Sequence, residues 1–130
     1  MTTTPPSAPA PSVVDRIKRL FGAGSSDGTL RPTVKATRAV ELVASGATLV
    51  DVREANEWRS GHARRAVHIP LGQISQGARR LSTSRPVVVV CASGMRSRSG
   101  AHQLRAMGFE ATSVSGGMAA WQRAGGEVTP

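Results

Sequence analysis

The chain has a single cysteine, Cys91, set between two contrasting stretches. Before it run Val87-Val88-Val89-Val90. After it come Ala92-Ser93-Gly94-Met95-Arg96-Ser97, which supply a loop glycine, a guanidinium and hydroxyls. These residue types could do nucleophilic sulfur chemistry. A thiol between a strand end and a helix start faces unpaired backbone N–H groups and the positive end of the helix dipole. That setting lowers a thiol pKa and favours the thiolate, which is the nucleophile. The same N–H groups suit a bound anion.

Such a junction needs a sheet beneath it. The run of β-branched valines predicts a strand buried on both faces, as in a parallel sheet. The spacing of Gly100-Ala101-His102-Gln103-Leu104-Arg105-Ala106-Met107 predicts a helix beginning at Ser97 and stopped at Gly108. Upstream, a short strand near Val34 precedes a helix over 36–44, closed by Ser45-Gly46. A strand over 48–52 and a short helix over 55–59 follow. Residues 66–69 read as a strand that Pro70 stops, since proline cannot donate to a ladder. A helix is predicted over 74–81, weakened by Gly77. A strand over 111–114 and a last helix over 118–123, ended by Gly125-Gly126, complete the pattern. Alternating strands and helices imply an α/β domain, a parallel β-sheet with helices on both faces. Ligands in such sheets bind beyond the carboxyl ends of the strands. Asp51 and Cys91 both stand at such ends, so topology alone groups them.

Composition narrows the classes further. With 130 residues the chain can form one domain with one core. The division expected is a tail over 1–30 and a folded domain over 31–130. The net charge of +9, from 17 Lys+Arg against 8 Asp+Glu, favours anionic partners. Specific nucleic-acid binding is not expected, because the basic residues are scattered and no tyrosine is present to stack bases. One cysteine excludes an internal disulfide, a four-ligand cysteine-based zinc site and a resolving-cysteine pair. The expected setting is a reducing one, the cytoplasm. No apolar run approaches the ~20 residues needed to cross a bilayer, and the N-terminus shows no signal-peptide core.

Residues 1–12 are mostly Thr, Pro, Ala and Ser, with almost nothing to bury, and are expected to be disordered. Residues 13–21 differ: Val13, Val14, Ile17, Leu20 and Phe21 fall on one helical stripe, with Arg16, Lys18 and Arg19 off it. This basic helix could pack on the domain, fray, or dock weakly on a membrane or partner protein; one short stripe binds a bilayer only marginally. Residues 22–28 read as a flexible linker.

Cys91-Ala92-Ser93-Gly94-Met95-Arg96-Ser97 resembles the active-site loop of the rhodanese family, in its single-domain form. Other pieces match in order: Leu49-Val50-Asp51-Val52-Arg53-Glu54, Glu57-Trp58, Gly61-His62, His68-Ile69-Pro70-Leu71-Gly72, Gly108-Phe109 and Gly116-Gly117-Met118-Ala119-Ala120-Trp121. The pieces themselves span Leu49 to Trp121, and the resemblance as a whole covers roughly Val34 to the C-terminus.

The resemblance implies a ping-pong sulfurtransferase with no metal or organic cofactor. Cys91 would take the outer sulfur of a donor such as thiosulfate and pass it to cyanide, a small thiol or a protein acceptor. The loop would hold the intermediate persulfide. Arg96 is the candidate to grip the anionic donor; its alternative is a structural pair with a carboxylate such as Asp51. Asp51 and Arg53, like the family's Asp-x-Arg element, would brace the site. Ala92, Ser93, Gly94, Met95 and Ser97 would act mainly through backbone, with Gly94 at positive φ and Ser97 as a helix cap. His62 and His68 read as structural, His102 as packing or surface. Trp58 and Trp121 read as core, with Trp121 near the site rim. Two departures stand out. Ala92 occupies a position often larger and polar in the family, and Arg64-Arg65-Ala66 replaces the usual Gly-Ala pair after Gly-His.

Two rival functions are open. A non-catalytic docking or sulfur-carrier module is one, although a binding module needs neither an intact Cys91 nor its loop. A cysteine phosphatase or arsenate reductase is the other. Phosphatase loops place five residues between Cys and Arg, whereas four separate Cys91 from Arg96 and no second cysteine is present.

Overall fold

The computed structural model describes residues 30–130; the stripe at 13–21 and its linker lie outside the described residues. An all-parallel sheet carries the order β1-β6-β5-β2-β4. Its strands are β1 (Thr33–Val34), β2 (Thr48–Asp51), β4 (Val67–His68), β5 (Val87–Val90) and β6 (Ala111–Val114). Strand β5 is central, which is why its sequence is apolar at every position. Successive side chains point to opposite faces. Val88 and Val90 join one core cluster, while Val87, Val89 and Cys91 join the other. Each valine is fully buried, and burying such a side chain stabilises by about 1.5–3 kcal/mol.

Helices cover both faces, as the sequence pattern requires. On the Val88 side lie α1 (Ala36–Ala44) and α5 (Gly117–Arg123), through Ala36, Ala39, Leu42, Met118 and Trp121. On the Val89 side lie α3 (Ile74–Gly77) and α4 (Met95–Ala106), through Ile74, Ala101 and Leu104. The remaining helix, α2 (Ala55–Arg59), buries no residue. Leu30 packs in the same cluster as Val34 and Leu42, so the packed unit includes it.

Several boundaries differ from the sequence-based expectation. The helix predicted over 74–81 is three pieces: a 3-10 turn at Leu71–Gln73, α3, and a second 3-10 turn at Ala78–Arg80. Gly77 lies so close to Ile69 that a Cβ there would collide with its side chain, so this segment follows packing and not helical propensity. Strands β2 and β4 are shorter than predicted, although Val52 N–H to Val90 O and Ile69 N–H to Asp51 O continue the hydrogen bonding beyond them. Helix α4 begins at Met95, two residues before Ser97. A small antiparallel sheet pairs β3 (His62–Ala63) with β7 (Val128–Thr129). Neither His62–Ala63 nor Val128–Thr129 lies in an apolar or alternating run that would mark it as a strand in the sequence.

Helix α5 is tied to the Cys91 loop: Met118 N–H donates to Cys91 O at 2.9 Å. Gly117 makes this approach feasible. It sits at φ 64°, and a Cβ would strike the Ala92 carbonyl and come within 2.6 Å of Cys91 O. Gly117→Ala is therefore expected to lower unfolding stability by about 2 kcal/mol or more. Gly72→Ala, where a Cβ meets nothing within 4 Å, should stay within about 0.5 kcal/mol of the parent. Urea unfolding of both variants checks the difference.

Candidate functional site

Cys91 follows the last residue of β5 and is fully buried. Its Sγ accepts the Gly94 N–H at 3.0 Å and the Ser97 N–H at 3.2 Å. Gly94 allows this turn by taking φ 109°, a region that side-chain-bearing residues avoid. Ser97 is not the helix cap expected from sequence. It is the third residue of α4, and the capping position belongs to Gly94. The sulfur itself accepts the N–H that a capping oxygen would otherwise take. The Ser97 hydroxyl points inward, 3.4 Å from Cys91 Sγ and 3.1 Å from Gly94 O.

Burial is the largest influence on the thiol and pushes its pKa up. The Ser97 hydroxyl and the N–H groups of Ser97, Gly94 and Ser93 stabilise the anion. Together they prevail, and the Cys91 pKa lies below its ordinary value. Around this sulfur Ala92, Ser93 and Met95 are exposed, with Met95 at 78%.

Arg96 pairs with a carboxylate, but with Glu57 and not Asp51. Its Nη1 and Nη2 donate to Glu57 Oε1 and Oε2 at 2.6 and 2.9 Å. This bidentate contact, led by the Arg96 hydrogen bonds, holds the Glu57 pKa down at about 2. Glu57 also accepts the Glu54 N–H, closing a capping box at the start of α2. One carboxylate thus fixes both α2 and the loop arginine. The capping-box spacing of Glu54 and Glu57 is visible in sequence; the contact across 39 residues to Arg96 is not.

Asp51 and Arg53 pair with each other and are both buried. Arg53 Nε and Nη2 donate to Asp51 at 2.8–3.0 Å, and Nη2 donates to Gly61 O at 2.7 Å. Asp51 stands beside Val90 in register, one residue short of Cys91. His68 Nε2 lies 2.8 Å from Arg53 O, and His62 Nδ1 lies 2.9 Å from Trp58 O. Trp58 is half-buried outside the core. It stacks on His62 at 3.5 Å and His68 at 4.7 Å, on a helix that buries no residue. Trp121 is core, as expected, in the same cluster as Val90 and Met118. It lines a cavity with Arg64, Arg65 and Glu127, to which 91–97 contribute no wall. Arg64 pairs with Glu127 at 3.3 Å, and His102 is exposed. Among the described residues no cluster of His, Cys, Asp and Glu could hold a metal ion, and no helix is long and apolar enough to cross a membrane.

A parallel sheet covered on both faces carries a thiol cradled by N–H groups between β5 and α4, an arrangement that can hold a thiolate or a bound anion. The model of the rhodanese-like domain matches residues 35–124, and the chain belongs to that family. It is 37% identical over 86 residues to thiosulfate sulfurtransferase GlpE of Pseudomonas savastanoi pv. phaseolicola, covering 65% of this chain and 81% of that one. The crystal structure of a rhodanese-related protein from Thermoplasma volcanium superposes with a TM-score of 0.68 at 26% identity, covering 76% of this chain and 98% of that one. A rhodanese-like domain protein from Staphylococcus aureus gives a TM-score of 0.67 at 27% identity, covering 77% and 100%.

The Glu57–Arg96 pair carries a pH signature. A carboxylate whose pKa is depressed on folding contributes stability above its unfolded pKa, about 4.3, and loses it as pH falls towards the folded value. Glu57 titrates at about 2 in the folded chain. The stability gap between the parent and Glu57→Gln should therefore be constant at neutral pH and shrink as pH falls below about 4. Urea unfolding of the two proteins across that range checks it; a gap independent of pH would contradict the pairing.

Proposed function

We propose that the chain is a thiosulfate sulfurtransferase working through a Cys91 persulfide. The Cys91 thiolate attacks the outer sulfur of thiosulfate. The S–S bond of the donor breaks, and sulfite leaves with its electron pair. Cys91 then carries one added sulfur as a persulfide anion. An acceptor nucleophile attacks that outer sulfur, and Cys91 departs as the thiolate. With cyanide as acceptor the products are sulfite and thiocyanate, so atoms and charge balance without an outside oxidant. In the cell the acceptor is a small thiol or a protein.

The observation that carries the proposal is the cradle at Cys91 Sγ, where the Gly94 and Ser97 N–H groups lie at 3.0 and 3.2 Å. Groups that stabilise a thiolate also serve a persulfide anion and a departing thiolate. The donor's sulfonate end is assigned to Arg96. Glu57 takes one N–H from each terminal nitrogen, and a guanidinium has five N–H donors in all. Asp51 and Arg53 hold the strand end and the Gly61 turn in place. The catalytic unit is assigned to 30–130, since Leu30 packs in its core, with the residues before it as a tail, and its setting to the reducing cytoplasm, where a lone thiol stays free.

A thiosulfate–cyanide assay tests the proposal. Cys91→Ser should abolish thiocyanate formation while the domain stays folded. Arg96→Ala should raise the KM for thiosulfate about tenfold or more. Turnover retained in Cys91→Ser would rule out the covalent route, and an unchanged KM would remove the role of Arg96.

A further inference from the structure

Strand β6 is buried at all four positions, yet it carries two hydroxyls, Thr112 and Ser113. A buried hydroxyl is costly unless it is hydrogen-bonded. Thr112 is accounted for by the carbonyl of Arg31, to which it donates at 2.7 Å. Ser113 stands opposite Val89 of β5, where an apolar side chain would be the ordinary choice. Its Oγ lies 2.6 Å from Ser97 Oγ.

Each hydroxyl has one proton, so the bonds can be counted. Either hydroxyl could donate across this pair, but with the Ser97 proton given to Gly94 O the proton between them is that of Ser113. When Cys91 is a thiol, its S–H also donates to Ser97 Oγ, which then gives its own proton to Gly94 O. When Cys91 is a thiolate it can only accept. Ser97 then turns its proton from Gly94 O to the sulfur. Gly94 O keeps the Arg98 N–H at 3.3 Å, so that turn leaves no carbonyl unpaired. The lone pair of Ser97 that faces β6 stays filled by Ser113 throughout.

We propose that Ser113 is a positioning residue for Cys91: its hydroxyl fixes the Ser97 hydroxyl as a donor to the sulfur anion. Ser113 acts through Ser97 and touches neither sulfur nor substrate. A donor that is itself hydrogen-bonded is polarised and strengthened. The effect adds to the groups already around the thiol. From α4 the charge coupled to Cys91 is Arg96, paired with Glu57 of α2. From β2 and its exit, Asp51 and Arg53 neutralise each other. Strand β6 carries no charged residue, so Ser113 is its polar contribution. For sulfur transfer the device matters only if Cys91 is the nucleophile proposed above.

Alkylation of Cys91 by iodoacetamide, followed across the thiol's titration range, tests this without any sulfur donor. Its result is therefore separable from failure of the transfer chemistry, and the single cysteine makes the label site-specific. Ser113→Ala should stay folded and move the alkylation midpoint up by about 0.5–1 pH unit. Ser97→Ala should move it at least as far, and the double variant should match Ser97→Ala alone. A midpoint unchanged in Ser113→Ala, or shifts that add in the double variant, would overturn the proposal.

Discussion

The site depends on one interaction, the acceptance of backbone N–H groups by the Cys91 sulfur where β5 gives way to α4. A helix start leaves N–H groups without partners, and an oxygen side chain usually takes one of them. Here sulfur takes that place. The cap and the reactive atom are the same, so whatever positions the helix also positions the nucleophile. The central strand supplies the rigid side of the junction, because its valines are locked into both layers of the core. Gly94 supplies the left-handed turn, and Gly117 lets α5 approach closely enough to hold the Cys91 carbonyl.

Around that cradle, opposite charges are paired in two tiers. Asp51 and Arg53 form a buried pair that ties the end of β2 to the Gly61 turn. Removing one member of such a pair strands a buried charge, which is costly, so the two residues must stand or fall together. Arg96 and Glu57 form the outer pair, part-buried, at the loop. Trp58 stacks on His62 and His68, whose rings in turn reach the carbonyls of Trp58 and Arg53. The result keeps a guanidinium beside the thiol while restraining where it can point.

Sequence patterns made the layered fold legible. The β-branched run at 87–90 reads as a strand covered on both faces, and helices over 36–44 and after Ser97 follow from spacing and from their glycine stops. The order of motifs around Cys91 likewise pointed to the family. Other features were hidden for physical reasons. The pairing of Arg96 with Glu57 joins residues far apart in sequence, and Asp51 was an equally reasonable partner until the register was known. The role of Ser97 changed because helix α4 starts earlier than its apolar spacing shows: Met95, Arg96 and Ser97 pack little apolar surface in that first turn. Ser113 is silent in the sequence because a short Ala-Thr-Ser-Val strand reads as strand whichever hydroxyl is satisfied. Its partner appears only when β6 lies beside β5 and α4.

The central claim is that Cys91 carries sulfur. Intact mass of the purified protein, taken before and after thiosulfate and again after cyanide, tests it most directly, with Cys91→Ser as control. The account predicts a gain of one sulfur atom that cyanide removes and that Cys91→Ser never acquires. A folded protein with a free thiol that gains no sulfur from thiosulfate would contradict it.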